Sequence, residues 1–198
     1  MYPDVVRHAI EAFKILPGIG EKTAERLTLS LLDMDLDEVQ FFSNALLSMK
    51  EKIVNCNICN VISDDIICPI CSNRLRNKKL LCVVEDSRSV FLFEKVGVFN
   101  GLYFVLSGLI SPLDGVNPED IGIDKLIRRI EEGDFNEVVF AFKPSIEGET
   151  TSLYIKRILD GSGLKITRLA SGIPIGADME YLDALTLERA LSDRKDIE

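Results

Sequence analysis

Four cysteines carry the clearest chemistry in the sequence. They form two knuckles, Cys56-x-x-Cys59 and Cys68-x-x-Cys71, separated by eight residues. Two such pairs bring four thiolates to the corners of a tetrahedron that Zn²⁺ accepts. Four protein ligands leave no open position, so the zinc would be structural rather than catalytic. Two disulfides could use the same residues, but disulfides belong to oxidising compartments and nothing in the sequence points to secretion. The loop 60–67 is too short to supply a core of its own, so the metal must hold it. A fifth cysteine, Cys82, lies inside the apolar run Leu80-Leu81-Cys82-Val83-Val84 and reads as core.

A second constellation is Leu16-Pro17-Gly18-Ile19-Gly20-Glu21-Lys22-Thr23-Ala24. Gly18 and Gly20 let the backbone turn sharply and approach a phosphate, with the N–H groups that open the next helix aimed at it. Lys22 and Arg26, one helical turn apart, add positive charge beside that phosphate, the pattern of a DNA contact that reads no base. Glu21 competes for the same positive helix end, so the contact is expected to be weak per subunit. The cations Arg74, Arg76, Lys78 and Lys79 suit either a DNA backbone or a solvated linker. His8, the one histidine, has no nucleophile motif beside it and reads as a helix-face residue.

The third constellation is acidic: Glu85-Asp86 at one strand end, and Glu147-Gly148-Glu149 just past another. Carboxylates from adjacent strand ends can hold Mg²⁺ for phosphoryl transfer. They can equally form salt bridges or a surface for a protein partner.

The elements that must position these groups differ between the two parts of the chain. Residues 3–15, Glu21 to Leu32 and about Asp37 to Val54 have helical spacing, so the first two form a helix, hairpin, helix unit. From Leu80 on, Leu80 to Glu85, Gly101 to Leu106, Glu137 to Phe142 and Lys165 to Ala170 read as strands. Ser87 to Val96, Pro118 to Glu132 and Glu149 to Gly161 read as the helices between them. That alternation predicts an α/β domain with a mostly parallel sheet and ligands at the carboxyl ends of its strands. Gly172 to Gly176 reads as a short edge strand and Thr186 to Ser192 as a last helix. With 46% hydrophobic and 28% charged residues the chain can bury a real core. No apolar run approaches bilayer length and no signal peptide is recognisable, so a soluble, cytoplasmic protein is expected. The net charge is −9, but residues 1–79 hold 10 Lys and Arg against 11 Asp and Glu, while residues 80–198 hold 13 against 21. The first part is therefore the better candidate for DNA and the second for a metal or a basic partner.

The order of five motifs resembles the RecR family of bacterial recombination mediators: the Leu-Pro-Gly-Ile-Gly hairpin, the four-cysteine knuckle, Val-Val-Glu-Asp, Glu-Gly-Glu and the Gly-Ile-Pro-Ile-Gly tail. The resemblance implies a helix-hairpin-helix region (1–54), a C4-type zinc finger (55–72), a Toprim domain (79–174) and a C-terminal arm (175–198). It implies zinc on Cys56, Cys59, Cys68 and Cys71, and DNA contact by Gly18, Gly20, Lys22 and Arg26. Glu85, Asp86, Glu147 and Glu149 become a residual Toprim or partner site. Catalytic Toprim domains carry Asp-x-Asp at the end of the third strand, where this chain has Phe142-Lys143-Pro144. Lys143 puts a cation at the metal position, which argues against an Mg²⁺-dependent nuclease or primase-like enzyme. The family further implies a nucleoid-associated homo-dimer or homo-tetramer ring on single-stranded, gapped or junction DNA. It would act with RecO and RecF partners to load recombinase at single-stranded gaps.

Overall fold

The computed structural model describes residues 2–170, 172–174 and 176–194, and the chain divides into two compact units, Met1–Ile53 and Val54–Glu198. In the first, α1 (Asp4–Lys14) and α2 (Glu21–Leu32) pack against each other around Val6, Ile10 and Ala24, with Phe13 and Ile19 at the margin. α1 ends at a tight turn that Gly18 completes at φ +82°, a conformation that side-chain-bearing residues resist. α3 (Leu36–Lys52) starts on a capping box in which Asp35 and Glu38 satisfy each other's backbone N–H. It buries none of its residues, and Leu36, Phe41, Phe42, Leu46, Leu47 and Met49 are all exposed.

The second unit opens with an antiparallel pair, β1 (Val54–Asn55) and β2 (Ile62–Ser63), and a short helix, α4 (Pro69–Ser72). β3 (Leu80–Val84), β4 (Leu102–Val105), β5 (Glu137–Ala141) and β6 (Lys165–Arg168) form a fully parallel sheet in the order β4-β3-β5-β6. α5 (Ser87–Val96), α6 (Ile123–Glu132), α7 (Ile146–Ile158) and α8 (Ala184–Ser192) complete the unit.

Residue alternation along the strands gives the sheet two buried faces. Leu81, Val83, Phe104, Val138 and Phe140 pack with Leu126 and Ile130 of α6 and Ile155 of α7. The opposite face, Cys82, Val84, Tyr103, Val105 and Ala141, packs with Val90 of α5 and with Cys56, Cys59, Val61 and Cys68. Cys82 is thus core, as expected, and burial pushes its thiol up to about 12.

Three expectations change. The helix expected over Pro118 to Glu132 breaks at Gly122, φ +78°, into a 3₁₀ turn, Pro118–Ile121, and α6. The helix expected from Glu149 begins at Ile146, because the Ser145 hydroxyl caps it by accepting the Gly148 N–H at 3.2 Å. In the segment expected as an edge strand, residues 172–174 and 176 pair with no strand, while Ile175 lies outside the described residues. Pro174 offers no N–H, and the chain turns as the Ala177 N–H reaches the Pro174 carbonyl at 3.1 Å with Gly176 at φ +83°.

Candidate functional site

The four knuckle cysteines converge. Their Sγ atoms all lie within 4.8 Å of one another, and Cys59 Sγ is 3.5 Å from Cys68 Sγ. Ligands about 2.3 Å from a tetrahedral zinc stand about 3.8 Å apart, so the cluster has the dimensions of a closed tetrathiolate site. All four are free thiols rather than disulfides.

Local turns aim the sulfurs. The Cys56 N–H bonds the Val61 carbonyl and the Asn60 N–H the Cys56 carbonyl, both at 2.8 Å, while Asn60 takes φ +61°. Backbone N–H groups then point at sulfur: Cys68 N to Cys56 Sγ at 3.3 Å and Cys71 N to Cys68 Sγ at 3.4 Å. Donors on sulfur stabilise thiolate over thiol, which is the form a metal binds. The thiols are inequivalent. A hydrogen bond shared with Cys71, together with burial, pushes Cys59 up; the same bond, aided by the Arg129 charge, holds Cys71 below its usual value.

The knuckle is stitched to the α/β layer at three places. Val105 N–H of edge strand β4 donates to the Cys59 carbonyl, and Asn60 Nδ2 to the Val105 carbonyl, both at 2.8 Å. The Ile62 N–H meets Ser87 Oγ at 3.1 Å, and Arg129 Nη1 of α6 donates to the Ile58 carbonyl at 2.8 Å. The knuckle therefore caps the carboxyl end of edge strand β4 at Val105.

At the hairpin, Gly18 makes the turn and Gly20 is the N-cap of α2, with no side chain capping the helix. The N–H groups of its first turn lack intrahelical partners. Lys22 and Arg26 are exposed, form no ion pair among the described residues, and line one shallow hollow of about 460 Å³ together with Glu25 and Asp33. Glu21, expected to compete with phosphate, is instead held by Lys14 at 2.6 Å, and Lys14 is raised by Glu21 and Glu11. The later basic cluster is split. Arg76 is nearly buried, bonded to Glu94 at 2.5 Å and stacked 5.6 Å over the Tyr103 ring, and Lys79 pairs with Asp134. Arg74 and Lys78 are exposed.

The acidic residues are committed to the fold. Glu85 accepts the Lys143 backbone N–H at 3.3 Å. Asp86 caps α5: burial alone would raise its carboxyl, but the Ser89 N–H and hydroxyl and Arg88 hold it below the usual range. Glu147 sits in the first turn of α7, lowered by the Ser145 hydroxyl. Glu149, in the same turn, pairs with Arg168 at 2.6 Å. Gly148 between them is required, since a Cβ there would lie 2.3 Å from the Lys143 carbonyl. Among the described residues, the cysteine cluster is the one group arranged to hold a metal. Composition could not reveal that Arg129 would bond the knuckle at Ile58, Asn60 reach Val105 and Arg168 pair with Glu149, because each contact joins residues well apart in sequence.

Models of protein families match the chain in three blocks: the RecR helix-hairpin-helix over residues 6–50, the Toprim domain over 79–170 and the RecR C-terminal region over 172–195. The blocks occur in the order in which the hairpin, the parallel sheet and the tail were described. The chain belongs to the RecR family. RecR domains support a mediator role in recombination and DNA repair, with DNA binding, and the four-cysteine cluster is suited to zinc. No described helix is long and apolar enough to cross a membrane.

Proposed function

We propose that this RecR-family chain is a non-enzymatic mediator that holds DNA by its phosphate backbone and brings recombination partners to single-stranded gaps. The observation that carries the reading is the hairpin: a helix start with no side-chain cap beside two exposed cations, Lys22 and Arg26, that form no ion pair among the described residues. Gly18 and Gly20 let the backbone approach a phosphate, whose charge the N–H groups of α2 and the two cations would share. Two contacts per subunit make for weak binding, so several subunits must act together, as a closed dimer or tetramer would permit. The exposed apolar face of α3 supports such an assembly, since patches of that kind mark protein contacts.

Zinc on Cys56, Cys59, Cys68 and Cys71 is structural in this reading; with four sulfur ligands it supplies folding energy and takes no part in chemistry. The chain then consists of a helix-hairpin-helix region (1–54), a zinc finger (55–72), a Toprim domain (79–174) and a C-terminal arm (175–198). Glu85, Asp86, Glu147 and Glu149 belong to a surface on the acidic part that docks basic partners of the RecO and RecF type. Asp86 caps α5, Glu85 accepts a backbone N–H and Glu149 pairs with Arg168, engagements that favour a mediator over an Mg²⁺-dependent nuclease. The site of action is the cytoplasmic nucleoid.

The test is binding of a labelled gapped DNA at two salt concentrations, with and without a RecO-type partner. Steep salt dependence, lost in Lys22→Glu with Arg26→Glu, supports the reading. Unchanged binding by that variant removes the hairpin from the site. An Mg²⁺-dependent product that disappears in Glu85→Gln replaces the mediator with an enzyme.

A further inference from the structure

A closed zinc–tetrathiolate site carries a net charge of −2, and here it lies against the buried face of a sheet rather than in water. Such a charge needs a compensating cation close by. Within the Val54–Glu198 unit, α6 supplies one. Arg129 lines the same cleft, about 990 Å³, as Cys56 and Cys71. Its Nη1 donates to the Ile58 carbonyl at 2.8 Å, inside the Cys56-x-x-Cys59 turn, across 71 residues of sequence. Its Nε is buried and, among the described residues, has no acceptor. A guanidinium with one arm on the knuckle backbone and a buried donor free in the cleft that Cys56 and Cys71 also line is placed to serve that cleft, since a buried N–H without a partner is destabilising.

We propose that Arg129 is a positioning residue of the metal centre: its charge offsets the tetrathiolate, and its bond to the Ile58 carbonyl fixes the first knuckle against α6. Metal occupancy and the packing of α6 on the sheet are therefore coupled. An arginine suits the role because its fork serves the carbonyl and the sulfur cluster together while keeping its proton at any physiological pH. Of the other cations lining that cleft, Lys79 pairs with Asp134 and Arg128 with Asp124 at 3.5 Å, while Lys78 and Lys125 are exposed to solvent and lack a bond to the knuckle backbone among the described residues.

The inference rests on the zinc reading, and the experiment separates the two. Metal analysis of the full-length wild-type protein, with cobalt substitution, first establishes whether one metal per chain binds in a tetrathiolate field; its absence would end the zinc reading itself. Zinc affinity is then measured by chelator competition for wild type, Arg129→Gln and Arg129→Lys, beside the thermal midpoint of each with and without zinc. Outer-sphere partners of metal ligands typically contribute about 10- to 100-fold in affinity, so Arg129→Gln should bind zinc about that much more weakly, with an unaltered cobalt spectrum. Arg129→Lys, which keeps the charge, should recover most of the loss. An affinity equal to wild type in Arg129→Gln, with its midpoint lowered equally in both metal states, would reduce Arg129 to packing and overturn the proposal. If Arg129→Gln does not fold, Arg129→Lys decides alone: loss of affinity as large as for a missing ligand would show that charge is not what Arg129 contributes.

Discussion

The two units of this chain treat their charged residues in opposite ways. In the hairpin unit the core is small, Val6, Ile10 and Ala24, and two cations stay exposed: Lys14 takes up Glu21, while Lys22 and Arg26 have no ion-pair partner among the described residues. In the α/β unit the core covers both faces of a four-stranded sheet, and the polar groups at the strand ends are bound to one another or to backbone. A binding surface keeps its charges unsatisfied until a ligand arrives; a scaffold satisfies them at folding. On that criterion we read the hairpin as the surface that meets DNA and the strand-end carboxylates as part of the scaffold, whose acidic face can still meet a basic partner.

The most severe way to break the scaffold is to remove a zinc ligand. Cys59→Ser should abolish stoichiometric zinc and lower the thermal midpoint of the protein by about 10 °C or more, because structural zinc sites supply folding free energy outright. Metal analysis and calorimetry check both. A zinc-free variant with an unchanged midpoint would mean that the knuckle is a passenger on the sheet, contrary to its bonds to Val105, Ser87 and Arg129.

The working surface is tested next. Lys22→Glu with Arg26→Glu should weaken DNA binding about 10- to 100-fold and flatten the log affinity against log salt slope by about 2, while the thermal midpoint stays put because both side chains are exposed. Fluorescence anisotropy across a salt series gives both numbers. Arg76→Ala is the mirror experiment. Arg76 was grouped with Arg74, Lys78 and Lys79 from sequence, yet its side chain is 9% exposed and held by Glu94, so its loss should destabilise the protein by about 2 kcal/mol and leave DNA affinity unchanged. The discount from a fully buried pair reflects Glu94, which is 33% exposed.

What the sequence revealed and what it hid follow the same division. The strands were legible because runs such as Leu80-Leu81-Cys82-Val83-Val84 have no polar face, as central parallel strands require. The zinc spacing was legible because it is local. The start of α7 was not: Glu147-Gly148-Glu149 looks like a turn, but Gly148 is there for close approach to the Lys143 carbonyl and Ser145 provides the cap. Nor was the burial of the knuckle against Val84, Tyr103 and Val105, since nothing in the Cys56–Cys71 spacing says what lies behind it. The spacing of the apolar residues of α3 showed a helix but not their exposure, because periodicity shows which face is apolar and not what covers it.

The smallest expected effect is the most pointed test of the division. Glu149 and Arg168 are 44% and 50% exposed, so their pair contributes at most about 1 kcal/mol. Arg168 also keeps Asp193, at 3.6 Å, when Glu149 is neutralised. Glu149→Gln combined with Glu85→Gln should therefore lower the thermal midpoint by about 2–4 °C at most, leave DNA affinity as in wild type, and leave Mg²⁺ without effect on either protein. A scaffold tolerates this change because each carboxylate keeps an oxygen acceptor as an amide, and the Lys143 N–H still has Glu85's replacement to bond. A catalytic corner would not: two neutral amides cannot hold Mg²⁺ as carboxylates do. An Mg²⁺-dependent shift in the midpoint of the wild type that vanishes in the double variant would place this corner with the hairpin as a binding surface, and the contrast between the two units would fall.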